Sequence, residues 1–206
     1  MKRSEINRFQ QEAVDFFQKH NFYLPKWAFW SKETWQAKGD LASEIVEKKL
    51  GWDITDFGLG DYEKHGLLLF FPNENAREAQ VTPWHFHWVK TEDIINRGGG
   101  NLVIQLKNSG NDGKFTDSQV HVQIDGIAHT LNQNGKITLE PGESICIPPY
   151  LYHTFYGESG TVLVGEVSSV NDDEKDNRFQ ENLGRFPKIE EDEPLLFLLC
   201  NEYSHL

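Results

Sequence analysis

The sequence has few cysteines and no long apolar run. Two cysteines in 206 residues do not make the disulfide framework of a small secreted protein, although a bond between Cys146 and Cys200 stays open. Both lie in apolar runs, where a buried free thiol is the usual state. No stretch of 18 apolar residues predicts a membrane span, and residues 1–12 lack the apolar core of a signal peptide. We therefore expect a cytoplasmic protein with no membrane partner.

Basic residues are also scarce. Twenty Lys and Arg face 32 Asp and Glu, which gives a formal net charge of −12. Nucleic-acid binding depends on clustered basic residues, and the sequence has neither a basic block nor a glycine-rich phosphate loop. With 38% hydrophobic and 25% charged residues, the chain is typical of a globular protein that folds around its own core, without a nucleic-acid partner.

Helical periodicity is confined to the first part of the chain. Residues 4–20 carry apolar side chains at helical spacing, with Ser4 as the candidate N-cap. A second helix is predicted over residues 40–50, with Asp40 as its cap and Gly51 at its C-terminal end. Three tryptophans between these helices favour packing over a ligand pocket, although aromatic walls occur in both.

From about residue 55, short apolar runs alternate with Gly, Pro, Asn and Asp. Such spacing predicts strands of an all-β sandwich or barrel, at 67–71, 81–88, 101–106, 119–124, 136–139, 144–147 and 161–167. Asp125-Gly126 and Asn134-Gly135 predict hairpin turns. In the tail, the acidic residues 190–193 are expected to form a solvated loop, and the apolar residues 195–199 to dock on the barrel or on a partner subunit.

The sharpest motif is His85-Phe86-His87, followed by Glu92. Two histidines two positions apart on a strand point to the same face, so both imidazoles can enter a barrel interior. Glu92 is close enough along the chain to return a carboxylate to the same place. His153 follows a predicted strand and is the candidate for a fourth ligand. The chain has eight histidines, so a His-x-His pair alone could arise by chance.

Three imidazoles and one carboxylate suit one divalent ion of Mn, Fe, Co, Ni or Zn. A closed structural zinc site would more often use cysteine, and neither cysteine is near the motif. Four protein ligands around an octahedral ion leave two adjacent positions for substrate. Mn is our first choice because a carboxylate and a hydroxylated substrate are hard ligands.

The spacing resembles the two motifs of the cupin superfamily. His85, His87, Glu92 and Gly99 match the first motif, and Gly142, Pro148 and His153 match the second. Three turn positions depart from the pattern, at Ala79, Tyr150 and Gly157. The resemblance implies a mainly β fold, a cupin (double-stranded β-helix or jelly-roll) barrel with N-terminal helices. We expect one domain over residues 1–206, with a helical extension (1–54), a barrel core (55–170) and a C-terminal loop and tail (171–206).

A narrower resemblance covers most of the chain. Residues 84–106, 148–157 and 165–179 are similar to the D-lyxose isomerase family of sugar ketol-isomerases. The family implies a Mn-type metal, a cytoplasmic homodimer, and interconversion of D-lyxose with D-xylulose, often together with D-mannose and D-fructose.

Four further residues are candidates for catalysis. Glu166 lies in an apolar strand, where an unpaired carboxylate is rare, so we expect it to face a polar cavity as the general base; a role in orienting a histidine stays open. Lys90 could bind or protonate a sugar oxygen, or be a surface lysine. Asp176 and Arg178 lie in a polar loop and could hold sugar hydroxyls, or form a surface ion pair; Asp176 is also a rival base.

Aldose–ketose isomerisation suits an open metal site, since the ion can chelate O1 and O2 while a base moves the proton through an enediol. A metal-assisted hydride shift is the other route. Two other functions fit the same ligand set: an Fe(II)-dependent cupin dioxygenase and a non-catalytic sugar-binding cupin.

Overall fold

The computed structural model describes residues 1–70, 73–76, 80–169 and 176–206, with only the backbone described for 73–76. Ala79 and most of the loop 171–179 therefore lie outside the described residues. Within the described ranges, no helix is long and apolar enough to span a membrane.

The first helix, α1 (Arg3–Lys19), confirms the predicted N-terminal helix. Its apolar stripe includes Ile6, Phe9 and Phe17, each at most 3% exposed. The predicted cap is wrong: the N-cap position is Lys2, whose backbone N–H donates to the Glu5 carboxylate. Ser4 is the second residue of the helix, and its backbone N–H and hydroxyl donate to Asp192 in the C-terminal tail.

The helix predicted over residues 40–50 is confirmed in part, since residues 39–47 are helical, but the N-cap is Ala42 and not Asp40. The helix α2 (Lys32–Lys38) precedes it, and the Ser31 hydroxyl accepts a hydrogen bond from the backbone of this helix. A 3-10 turn (Gly39–Ala42) and the short α3 (Ser43–Glu47) follow. Leu41, in the 3-10 turn, is 89% exposed. A last short helix is α4 (Tyr62–His65).

The rest of the described chain is mainly strand, which confirms the predicted fold class. The eleven strands are β1 (Trp52–Thr55), β2 (Leu67–Phe70), β3 (Asn73–Ala76), β4 (His85–His87), β5 (Glu92–Asn108), β6 (Val120–Ile124), β7 (Ile127–Leu131), β8 (Gly135–Leu139), β9 (Ser144–Ile147), β10 (Leu151–Ser168) and β11 (Asn177–Phe179). Each pairing between them is antiparallel. The strand order in the sheet is β1-β2-β3-β10-β5-β9-β6-β7. In addition, β4 pairs with β10, β11 pairs with β4, and β8 pairs with β5.

The two long strands, β5 and β10, pair with each other along most of their length. Each bends midway, where Gly99 and Gly160 have positive φ and the register shifts. A side chain on Gly99 would come within 2.1 Å of the Thr161 carbonyl oxygen, so this bend requires glycine. Because of the bend, each of these two strands forms part of both walls of the barrel.

The two predicted hairpin turns have different outcomes. Asp125-Gly126 joins β6 to β7 with positive φ at both residues, as a two-residue hairpin turn requires. Asn134-Gly135 does not make a hairpin, because β8 pairs with β5 and not with β7.

Both faces of β1 are buried, but only one of them is apolar. Trp52 and Ile54 pack against α1 and Phe70, whereas the side chains of Asp53 and Thr55 alternate to the other face and line a cavity inside the barrel. Trp27, Trp30 and Trp35 pack against one another, which confirms the packing interpretation.

Residues 190–193 are exposed, as expected of a solvated acidic loop, and they also form hydrogen bonds to the start of α1. Ser4 and Asn7 donate to Asp192 and Glu193. Arg3, which is 1% exposed, pairs with Glu191 at 2.7 Å and also with Glu202. The apolar tail docks on the chain's own helical layer, with Leu199 fully buried. Cys146 and Cys200 are free thiols.

Arg3→Met is expected to lower the free energy of unfolding by about 3 kcal/mol, because it leaves the buried Glu202 carboxylate without its cation. The midpoint of thermal unfolding should fall by roughly 6 to 12 °C. Arg8→Met is the matched control: Arg8 is half exposed, its pair with Glu12 lies at the surface, and the expected loss is under about 1 kcal/mol. Equal melting temperatures for the two variants would contradict a stabilising role of the pair between Arg3 and Glu202.

Candidate metal centre and surrounding cavity

The structure brings the four candidate ligands together. His85 and His87 point to the same side of β4, His153 is the β10 partner of His85, and Glu92 begins β5. One ligand atom from each of the four lies within 4.8 Å of the others. His85 and His153 are 68 positions apart in the chain and meet because β4 pairs directly with β10.

The four side chains converge on one point but do not satisfy one another's hydrogen-bonding capacity. Glu92 Oε1 lies 2.9 Å from His153 Nε2 and 3.3 Å from His87 Nε2. Within the described residues, none of these three buried atoms has a hydrogen-bond partner of acceptable geometry. Buried polar atoms are rarely left in this way, and convergent orphan nitrogen and oxygen atoms are what a divalent ion would occupy. The donor set therefore fits one ion.

Backbone carbonyls orient two of the imidazoles. His85 Nδ1 lies 2.9 Å from the Pro83 carbonyl oxygen, and His153 Nδ1 lies 3.1 Å from that of Leu151. A carbonyl can only accept, so each Nδ1 carries a proton, and in the neutral form of the ring Nε2 then has the free lone pair. This is the arrangement that metal-binding histidines use.

The protonation states suit a cation. Burial, and next the neighbouring His153 and His87, hold the pKa of His85 well below its usual range, so this imidazole stays neutral. Burial opposes ionisation of Glu92, but His153, His87 and Lys90 outweigh it and hold the pKa of this carboxyl well below its usual range. A neutral imidazole and a carboxylate are the ligand forms that a metal requires.

Lys90 and Glu166 form a buried pair beside the ligands. Lys90 Nζ lies 2.7 Å from Glu166 Oε1 and 2.9 Å from Glu92 Oε2. Burial alone would lower the pKa of Lys90, but the two carboxylates outweigh it and raise the pKa, so the side chain is a cation. Burial, and next the charge of Glu92, raise the pKa of Glu166. Glu166 lines the cavity with about a quarter of its side chain exposed.

Asp176 lies behind this pair. Its carboxylate accepts hydrogen bonds from the backbone N–H of Val89 at 2.8 Å and of Lys90 at 2.9 Å. Its distance to His87 Nδ1 is 4.0 Å, too long for a hydrogen bond. The side chain is buried and holds the turn that carries Lys90.

Arg178 is not brought to the cavity. It is exposed and lies opposite Phe86, which faces away from the four ligands. Its neighbour Asn177 lies opposite His87 and does line the cavity. The alternation of side chains along β11 separates the two, but no sequence pattern predicts which of them faces inward.

The cavity has a volume of about 280 Å³, near the lower end for small-molecule sites. Apolar side chains form most of its wall, namely Phe57, Leu67, Leu69, Ile94, Phe155, Val164, Phe179 and Leu183. The metal centre and Glu166 form one polar region. A second polar region, formed by Asp53 and Arg185, was missed, because Asp53 precedes the predicted barrel and Arg185 lies in the tail.

The chain is similar to known sugar isomerases in sequence and in fold. The chain matches the model of the D-lyxose isomerase family over residues 1–203. It is 47% identical to a D-lyxose/D-mannose isomerase of Escherichia coli O157:H7 and 44% identical to one of Serratia proteamaculans, each over 98% of both chains. Among solved structures, it is similar in fold to an L-ribose isomerase of Cellulomonas parahominis, with a TM-score of 0.54 and 16% identity over 92% of this chain and 98% of that one.

Proposed function

This chain belongs to the D-lyxose isomerase family, and from that premise we propose that it interconverts D-lyxose with D-xylulose and D-mannose with D-fructose. The observation that carries the proposal is the ligand cluster with Glu166 and Lys90 directly beside it, in a cavity the size of a small ligand. As the family resemblance implies, we also propose a cytoplasmic homodimer; the mass of the native protein in light scattering tests the dimer.

His85, His87, Glu92 and His153 would hold one divalent ion, for which Mn is our first choice. When bound, the ion supplies a Lewis acid that polarises the sugar carbonyl. The chain contributes the ligands in their binding forms, since the backbone carbonyls of Pro83 and Leu151 fix the tautomers of two of them.

Glu166 is the general base in this proposal. Its carboxylate faces the cavity, and its raised pKa favours proton uptake from carbon, since a base works best with a pKa close to the working pH. It would take the proton from C2 of the aldose and return it to C1 of the resulting enediol, while the hydroxyl proton passes from O2 to O1. The same group serves both directions of the reaction.

Lys90 cannot be the base, because it is a cation between two carboxylates. We propose that it orients Glu166 and donates a hydrogen bond to the sugar oxygen where negative charge develops. Asp176 would be a positioning residue, since its carboxylate holds the backbone of Lys90. The exposed Arg178 has no part in this mechanism.

The test is turnover of D-lyxose labelled with deuterium at C2, by protein loaded with Mn. We expect D-xylulose to form and the label to appear in the solvent, because a carboxylic acid exchanges its proton with water. Protein treated with a chelator should be inactive until a divalent ion is returned. Complete retention of the label at C1, with none in the solvent, would instead favour the hydride shift. The absence of ketose from both D-lyxose and D-mannose would refute the proposed reaction.

A further inference from the structure

The second polar region of the cavity is an ion pair built on different elements from the metal centre. Asp53 projects from β1, and its carboxylate is fully buried. Arg185 Nη2 lies 2.9 Å from Asp53 Oδ2, and the arginine side chain is 38% exposed. The metal ligands and Glu166 are on β4, β5 and β10, and in the sheet β1 is separated from β10 by β2 and β3. Both side chains of the pair line the cavity.

The backbone around the pair is held in place. The Thr55 hydroxyl donates to the Arg185 carbonyl oxygen and accepts from the Phe57 N–H at 2.9 Å. Gly58 has positive φ, and a side chain there would come within 2.9 Å of the Gly184 Cα. The loop after β1 therefore packs directly on the segment that carries Arg185, and the guanidinium is pre-organised.

The chemistry of the pair suits hydroxyl groups. A carboxylate accepts hydrogen bonds, and a guanidinium has five N–H donors in a fixed fork, so together they can both donate to and accept from a sugar hydroxyl. The carboxylate also balances the charge of the guanidinium, which makes this region less suited to a phosphate group than an unpaired arginine would be. The apolar side chains that line the same cavity match the C–H faces of a sugar chain.

We propose that Asp53 and Arg185 bind the hydroxyl groups of an unphosphorylated aldose that lie beyond the reacting carbons, and so determine which chain lengths the enzyme uses. This inference rests on the proposed isomerase function. It assigns the pair to substrate binding and not to the chemical step.

Arg185→Met is the test, with two substrates. For D-lyxose we expect kcat/KM to fall about 10- to 100-fold, mainly through KM, as for loss of a charged hydrogen-bond donor. D-Glyceraldehyde has the reacting C1 and C2 but lacks the hydroxyl groups of C4 and C5, so under this proposal its kcat/KM should not change. Arg8→Met removes an exposed guanidinium from α1 and should leave both substrates unaffected. An equal loss for both substrates, or no loss for D-lyxose, would refute the assignment.

A binding measurement separates this inference from the proposed reaction. Calorimetric titration of Mn-loaded protein with a five-carbon alditol, which cannot isomerise, should give a Kd about tenfold or more higher for Arg185→Met than for the unmodified protein. An unchanged Kd, or no binding to the unmodified protein, would overturn the inference whatever the turnover assay shows. If the unmodified protein turns over no sugar but Arg185→Met raises the Kd as expected, only the proposed reaction is refuted.

Discussion

Glu166→Gln is expected to lower kcat by about 100- to 10,000-fold while the protein keeps its metal, because the variant loses the general base and none of the four ligands. Glutamine has nearly the same size and can still accept a hydrogen bond from Lys90 Nζ, which lies 2.7 Å from Glu166 Oε1. KM should change little, since the carboxylate acts mainly in the transition state. Steady-state kinetics and metal analysis of the same sample provide the measurement.

Glu158→Gln is the matched control for this variant. Glu158 lies on the same strand, β10, but is exposed and does not line the cavity, so its kcat should stay within about twofold of the unmodified value. Near-full activity of Glu166→Gln would remove Glu166 as the base. Loss of metal together with activity would show that Glu166 acts by supporting the ligands through Lys90.

His153→Ala is expected to abolish activity through loss of the metal. His153 is fully buried and supplies one of four convergent atoms, and its removal leaves a cavity that water can fill but a protein ligand cannot. Loss of residues that only orient ligands weakens metal binding about 10- to 100-fold, so loss of a ligand should exceed about 100-fold. The measurement is the metal-to-protein ratio after dialysis, together with turnover of D-lyxose.

The control for this prediction is His129→Ala, an exposed histidine on β7 that is not among the four ligands. It should retain metal and activity. A His153→Ala protein with a full metal content would exclude His153 as a ligand. A partial loss of turnover with full metal content would assign it to orienting Glu92, whose Oε1 lies 2.9 Å away.

The local part of the site could be read from the sequence. The two-residue period of a strand puts His85 and His87 on one face, and the second motif adds His153. The structure brings these three residues together with Glu92. The alternating pattern also predicted a mainly β fold and the turn at Asp125-Gly126. These features depend on neighbours within a few residues, which is the range over which a sequence pattern carries information.

Other features depend on which distant segments meet. No periodicity shows that Asn177 rather than Arg178 faces the cavity, because the inward face is set by the pairing of β11 with β4. The acidic residues 190–193 are exposed as expected, but no sequence pattern shows that Glu191 also pairs with the buried Arg3 of α1.

The sequence by itself therefore determined the fold class and the set of metal ligands that we expected. Only the tertiary structure decided what surrounds them: Lys90 between Glu92 and Glu166, and Arg185 on Asp53 across 132 positions of the chain. The physical reason is that a buried charge is stable only with a partner, and in this fold the partners come from strands and tail segments far apart in sequence.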